Sequence, residues 1–284
     1  MRTAGRTVGT GPAVAAGGFC RAGAAALVFA VLCGEPGSAQ QRDRVWARYE
    51  HEMQDPVDDP PGAGRKGEFA LGRLRYRSPL DRGFGRYFRW GIDANKGDRL
   101  FLGHLSRLTR IDVAPIETII DVSSDEVFEH PWLFAVSVGD WAITASEAAR
   151  LRQYLDRGGF LMVDDFHNER EWGIFMNGIR QIDPSAQVVE LNDSDPVFHV
   201  VFNMTDRVRV PGANVVHDGG VERGGLTPHW RAIVDARGRI MVAICFNMDV
   251  GDGWEFADDP FYPERFSYEA IRLGINYVLY AMTH

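Results

Sequence analysis

The chain has 284 residues and a formal charge of −8 at pH 7, with 45% hydrophobic, 25% charged and 11% aromatic side chains. These proportions are those of an ordinary globular protein and exclude a disordered, collagen-like or coiled-coil chain. The acidic balance also argues against nucleic acid or an anionic membrane as a partner, because either needs a basic face.

Residues 1–39 read as a secretory signal peptide. Arg2, Arg6 and Arg21 precede an apolar run from Ala24 to Cys33, and Gly37-Ser38-Ala39 places small residues at −3 and −1 of a cut before Gln40. The run is shorter than the roughly 20 apolar residues of a membrane helix, so no span is expected after cleavage. Cys20 follows Phe19 and Cys33 follows Leu32, neither of which is the small residue that lipidation requires. Cleavage removes three arginines and one glutamate and takes the formal charge to −10 over residues 40–284. Cys245 is then the remaining cysteine, so no internal disulfide can form in the periplasmic or extracellular space to which the signal directs the chain.

Gln40 to Gly67 is polar, broken by Pro56, Pro60, Pro61, Gly62 and Gly64, and carries Asp55, Asp58 and Asp59. It reads as a disordered linker between the signal and a domain over residues 68–284. Phe69 to Tyr76 alternates like a half-buried strand. Asp98 is placed to cap a helix whose Phe101, Leu102, Leu105 and Leu108 share one face. The apolar run Leu133–Val138 is followed by Thr144 and Glu147 at capping-box spacing, by Ala148, Leu151 and Leu155 at helical spacing, and by Gly158-Gly159 and the buried strand Phe160–Val163. That order is a βαβ unit, which predicts two parallel strands with a right-handed crossover. Arg239 to Phe246 is a further buried strand, and Tyr268–Met282, with Ser267 as its cap, is an amphipathic helix packed on the sheet. Gln187–Arg237 is turn-rich and reads as short strands and loops, a lid or an edge.

Two polar clusters follow strands. Asp164, Asp165 and His167, with Glu169 and Glu171 beyond, succeed Phe160–Val163, and Asn247, Asp249, Asp252, Trp254 and Glu255 succeed the strand ending at Phe246. In a doubly wound sheet, ligands bind beyond the carboxyl ends of the strands, so two neighbouring parallel strands would bring these residues to one mouth. Such a mouth can hold a divalent metal, orient a sugar or supply an acid/base pair. Equally, an Asp at a strand end can simply cap a helix or close a turn. The Asp249–Asp252 segment lacks the ligand spacing of a calcium-binding EF-hand, and His167 has no His-x-His partner. The aromatic and basic stretch Arg82 to Trp90 suits either an anion or glycan contact or a solvated edge. Gly-x-Ser-x-Gly, Gly-x-Gly-x-x-Gly and Walker A motifs are absent from the sequence, and Cys245 sits inside an apolar strand.

The segments Gly158-Gly159-Phe160-Leu161-Met162-Val163-Asp164-Asp165-Phe166, Glu171-Trp172, Asn247-Met248-Asp249-Val250-Gly251-Asp252-Gly253-Trp254-Glu255 and Leu273 to His284 resemble the bacterial domain-of-unknown-function family 4159. His130-Pro131-Trp132-Leu133-Phe134 and Ser146-Glu147-Ala148 extend the resemblance over nearly all of residues 68–284. One departure lies at Trp90-Gly91-Ile92-Asp93-Ala94-Asn95, where relatives carry an Asp-Tyr-Pro step. The resemblance implies an α/β fold of flavodoxin-like, class I glutamine amidotransferase-like type, a three-layer sandwich with a mostly parallel sheet. It does not imply amidotransferase activity, because Asp164-Asp165 stands where those enzymes place the nucleophilic Cys after a strand. The expectation is an exported ligand- or protein-binding module of the cell envelope, with no known cofactor and an unidentified envelope partner. The alternative is a divalent-metal-dependent hydrolase acting on a cell-wall or sugar-derived substrate.

Overall fold

The computed structural model describes residues 47–82 and 87–284. The signal-peptide reading of residues 1–39 and the stretch Phe84–Arg86 lie outside the described residues.

Strands β1 (Gly72–Arg75), β2 (Thr118–Asp121), β3 (Trp132–Val136), β4 (Phe160–Phe166), β5 (Val188–Glu190), β6 (His229–Val234) and β7 (Ile240–Phe246) form one sheet in the order β2-β1-β3-β4-β7-β6-β5. The first five run parallel, and β6 and β5 add antiparallel at one side. Helices α1 (Lys96–Leu108), α4 (Val250–Glu255) and α5 (Glu264–Thr283) cover one face, while α2 (Ala145–Asp156) and α3 (Asn168–Ile182) cover the other. Two separate apolar cores result, and the strands alternate between them. Leu133, Leu161, Val163, Val242 and Ile244 enter the α2/α3 core, whereas Phe134, Phe160, Met162, Ala243 and Cys245 enter the opposite one. Burial on both faces is why these strands read as continuous apolar runs rather than as alternating ones.

The βαβ unit is present as its sequence predicts. Thr144 caps α2 with a reciprocal Glu147 contact, Gly158 ends it at φ 102°, and β3 and β4 pair in parallel. Elsewhere tertiary packing overrides local signals. The Phe69–Tyr76 stretch is buried rather than half-exposed, because β1 is an inner strand with helices on either side, and even Arg73 is wholly enclosed. Arg73 donates through Nε and Nη2 to the two oxygens of Asp98, at 3.0 and 2.7 Å. Asp98 therefore does not cap α1; it lies in the first turn, preceded by Asn95 at the cap position. Ser267 does not cap α5 either, since Pro263 precedes a helix that begins at Glu264. Leu108 and Met282 fall off their helices' buried faces.

The described part of the 40–67 segment differs from a disordered linker. Residues Ala47–Glu52 form a 3₁₀ turn, and Met53 enters the α2/α3 core. Glu52 is buried, accepting from Arg75 at 2.7 and 2.8 Å and from Trp90 Nε1 at 2.8 Å. Asn95 clamps the backbone of Val57, its Oδ1 accepting from Val57 N at 2.9 Å and its Nδ2 donating to Val57 O at 3.2 Å. Composition made this stretch look unstructured because its anchors, Arg75, Trp90 and Asn95, belong to distant parts of the chain.

Two outcomes test these anchors. Replacing Arg73 with Met leaves the Asp98 carboxylate buried without its counter-charge, and denaturant unfolding should register a loss of about 3–5 kcal/mol. Glu52→Ala should free the anchoring segment while the sheet persists, so limited proteolysis should cut within residues 53–66 well before it cuts the wild-type chain.

Candidate functional site

The carboxyl ends of β3, β4 and β7 lie side by side, which brings the two polar clusters to one mouth. The end of β4 is irregular. Val163 pairs with Ile244 but Phe166 pairs with Phe246, so β4 carries one extra residue there. Asp165 takes up the bulge at φ 51°. Ser137 after β3, Asn247 after β7, Asn168 at the start of α3, Arg223 and Asp93 are also left-handed, and these six are the non-glycine residues with positive φ among the described residues. All six gather at or beside the mouth. Such conformations typically cost about 1–3 kcal/mol each and persist where surrounding contacts enforce them.

Those contacts converge on Asp165. Ser137 Oγ donates to its Oδ2 at 2.6 Å, His167 Nε2 lies 3.3 Å from Oδ1, and Arg223 Nη2 donates to the same Oδ1. His167 Nε2 also lies 3.6 Å from Glu222, and its backbone amide donates to Glu171 at 2.7 Å. Burial alone would raise the Asp165 pKa, but Arg223, His167 and Ser137 outweigh it and hold the carboxyl at about 2. Asp164 is different. Burial pushes it well above the usual carboxylate range, with Oδ2 accepting from Gly251 N at 2.7 Å and Oδ1 left without a partner.

A cavity of about 250 Å³ opens beside Asp165, and Asp93, Asp249, Asp252, Glu255 and Glu222 also line it. Asp249 caps α4 through Asp252 N at 2.8 Å, while Asp252 accepts from Ala213 N at 2.6 Å. Gly251 makes room for the Asp93 carboxylate, since a Cβ there would stand 2.3 Å from Asp93 Oδ2 and displace it. Burial and neighbouring acids raise Asp93 and Asp249 well above their ordinary range, Asp252 to about 6 and Glu255 to about 7. Among the described residues two groups have the spacing to hold a metal ion, Asp165–His167–Glu222 and Asp93–Asp252–Glu255.

Of the residues singled out in the sequence, Asp165, Asp249, Asp252 and Glu255 line the cavity, and His167 stands behind Asp165. Asp164 is tied to the start of α4, and Asn247 is a brace, accepting from Asn168 N at 2.9 Å and donating to Thr227 O at 2.7 Å. Trp254 is not at the mouth. It is wholly buried, stacked on Phe101 with centroids 4.3 Å apart, and donates to Ala270 O. Its position on the inner side of α4 follows from helical phase, which places Asp252 and Glu255 together on another side. Sequence reading missed Asp93, Ser137, Glu222 and Arg223. Asp93 stands in the Trp90–Asn95 step, where no periodicity marks it, while Glu222 and Arg223 belong to the turn-rich 187–237 region. That region supplies both the antiparallel strands β6 and β5, the latter at the edge of the sheet, and a loop laid over the mouth. From the Arg82–Trp90 stretch, Tyr87 and Arg89 line the cavity and Trp90 is buried. Cys245 is enclosed in the α1/α5 core, and burial pushes its thiol well up.

The sequence profile of the DUF4159 family, a domain of unknown function, matches residues 71–282, and the chain belongs to that family. No curated protein matches the chain.

The raised carboxyls make a signed prediction. The folded chain binds protons at Asp252 and Glu255 more tightly than the unfolded chain does, so their contribution is favourable at low pH. It is lost as pH rises from about 4 to about 7. Asp165 acts oppositely, stabilising above the ordinary carboxylate value and losing that effect as pH falls through about 2. In chelator, the urea midpoint should therefore fall between pH 5 and pH 8. Glu255→Gln should flatten that slope and gain on the order of 1–2 kcal/mol at pH 8. An unaltered slope would contradict the electrostatic account.

Proposed function

We propose that this chain is an exported domain of the cell envelope that binds a small polar ligand in its acidic mouth, and that it acts as a binding module rather than as a catalyst. The observation that carries this reading is one small cavity lined by five carboxylates besides Asp165 and by Arg89 and Arg223, with three left-handed residues, Asp93, Asp165 and Arg223, in its wall. The carboxylates accept hydrogen bonds from hydroxyl or ammonium groups, while Arg223 and Arg89 can donate to a ligand oxygen. That donor and acceptor mixture suits a sugar-derived ligand of about monosaccharide size. Support for export comes from the signal-peptide pattern of residues 1–39.

The finer architecture belongs to the same proposal. Numbered along the chain, the parallel strands run 2-1-3-4-5 across the sheet, the flavodoxin-like winding that class I glutamine amidotransferases share. Support for a non-catalytic role lies in the nucleophiles. The Cys245 thiol faces a core, and the Ser137 hydroxyl donates to Asp165, which at a pKa of about 2 is too weak a base to activate it. A divalent-metal-dependent hydrolase acting on a cell-wall or sugar-derived substrate is the second reading, favoured by the Asp165–His167–Glu222 grouping.

Titration of the mature chain with soluble peptidoglycan fragments and N-acetylated amino sugars, followed by calorimetry, tests the proposal. At least one should bind saturably without being consumed, and Arg223→Ala should weaken it tenfold or more. Turnover of a fragment on adding a divalent ion would favour the hydrolase instead, and binding indifferent to Arg223 would remove the mouth from the account.

A further inference from the structure

The mouth has two acidic halves, and in only one of them does a basic side chain pair directly with the acids; Arg73 and Lys96 act on the other from longer range, paired to Asp98 and Asp258. Around Asp165, Arg223 contacts the carboxylate and its Nε lies 3.7 Å from Glu171 and 3.9 Å from Glu222, with His167 alongside. In the other half, Asp93, Asp252 and Glu255 each offer one oxygen, all within 4.8 Å of one another. Among the described residues no Lys, Arg or His makes an ion pair with any of these three; the nearby Lys96 is 3.5 Å from Asp258 instead.

Asp93 adds an independent observation. It is 2% exposed, it lines the cavity, and its Oδ2 receives no hydrogen bond. A buried carboxylate oxygen without a donor is unfavourable unless something else satisfies it. The local backbone holds it there. Asp93 sits at φ 57°, Gly251 leaves room for Oδ2, and Asp252 and Glu255 stand three residues apart on α4.

We propose that Asp93, Asp252 and Glu255 hold a hard divalent cation, and that this ion keeps open positions toward the cavity for an oxygen of the bound ligand. The inference deepens the reading of the mouth as a ligand site and rests on it. Three carboxylates with no thiolate or imidazole among them select magnesium, calcium or manganese over zinc or copper. Three protein ligands do not complete the coordination of such an ion. The remaining positions fall to water or ligand, for which a cavity of about 250 Å³ has room.

The test uses the chelator-stripped mature chain and the metal ion alone, before any saccharide is added. Calorimetry should find one site for Mg²⁺, Ca²⁺ or Mn²⁺, with a melting temperature that rises and saturates with the ion. Asp93→Asn and Glu255→Gln should each weaken the ion tenfold or more, whereas Glu190→Gln, an acid removed from β5 at the margin of the sheet, should leave its affinity unchanged. The Asp93 and Glu255 variants remove mutual repulsion, so their melting curves in chelator should show a folded chain at least as stable as wild type. Absence of saturable binding by all three ions, or equal affinity in the Asp93→Asn, Glu255→Gln double variant, overturns the site. Saccharide binding that is undiminished in chelator overturns the ion's bridging role and leaves the proposed function standing. An ion that binds as described while no saccharide does so supports the cation site and counts against the proposed function alone.

Discussion

Three separate segments of this chain meet on the carboxylate of Asp165. The turn after β3 sends Ser137, the start of α3 sends His167, and the loop over the mouth sends Arg223. A charge this deeply enclosed persists only if donors surround it, and the donors are brought into range by turning the backbone left-handed at Asp165, Ser137 and Arg223 themselves. Register, loop position and cavity shape are thereby tied together. The extra residue in β4 aims Asp165 at the mouth, and the same irregularity leaves Asp164 pointing at the start of α4.

The contrast between those adjacent acids shows how strongly environment divides identical chemistry. Asp165 is held ionised by a guanidinium, an imidazole and a hydroxyl, while Asp164 has one backbone amide and an unpartnered oxygen and is pushed towards its neutral form. Further out, Asp93, Asp249, Asp252 and Glu255 repel one another in a small volume. A fold selected for stability alone would not retain that arrangement, because removing one acid relieves the others. Asp249 and Asp252 recover part of that cost as structural links to the start of α4 and to Ala213, whereas Asp93 keeps an oxygen without a donor.

Much of the fold was legible in the sequence where signals are local. Thr144 and Glu147, the Gly158-Gly159 stop, and the apolar runs of β3, β4 and β7 each carry their meaning within a few residues, whereas the adjacency of β4 and β7, on which the shared mouth depends, was only a condition of the reading because α3, β5 and β6 intervene. What remained hidden depends on contacts between distant segments. Asp98 looks like a cap until Arg73 is placed opposite it, and residues 47–67 look unstructured until Arg75, Trp90 and Asn95 receive them. Half of the site was visible for the same reason. Asp165, Asp249, Asp252 and Glu255 stand at strand and helix ends, but Glu222 and Arg223 come from a loop without periodicity, and Asp93 follows a buried Trp with nothing nearby to mark it. Trp254 was misplaced because spacing along a short helix does not reveal which side meets the core.

The margins of the sheet are short on both sides. β2 is four residues long and ends in Asp121, which pairs with Arg75, while β5 is three residues long and ends in Glu190, which pairs with His229 and Arg231. Neither offers an extended, uncharged row of unpaired amides on which a second molecule could add a strand. The outline of the sheet thus works against edge-to-edge growth, independently of the chemistry at its acidic end.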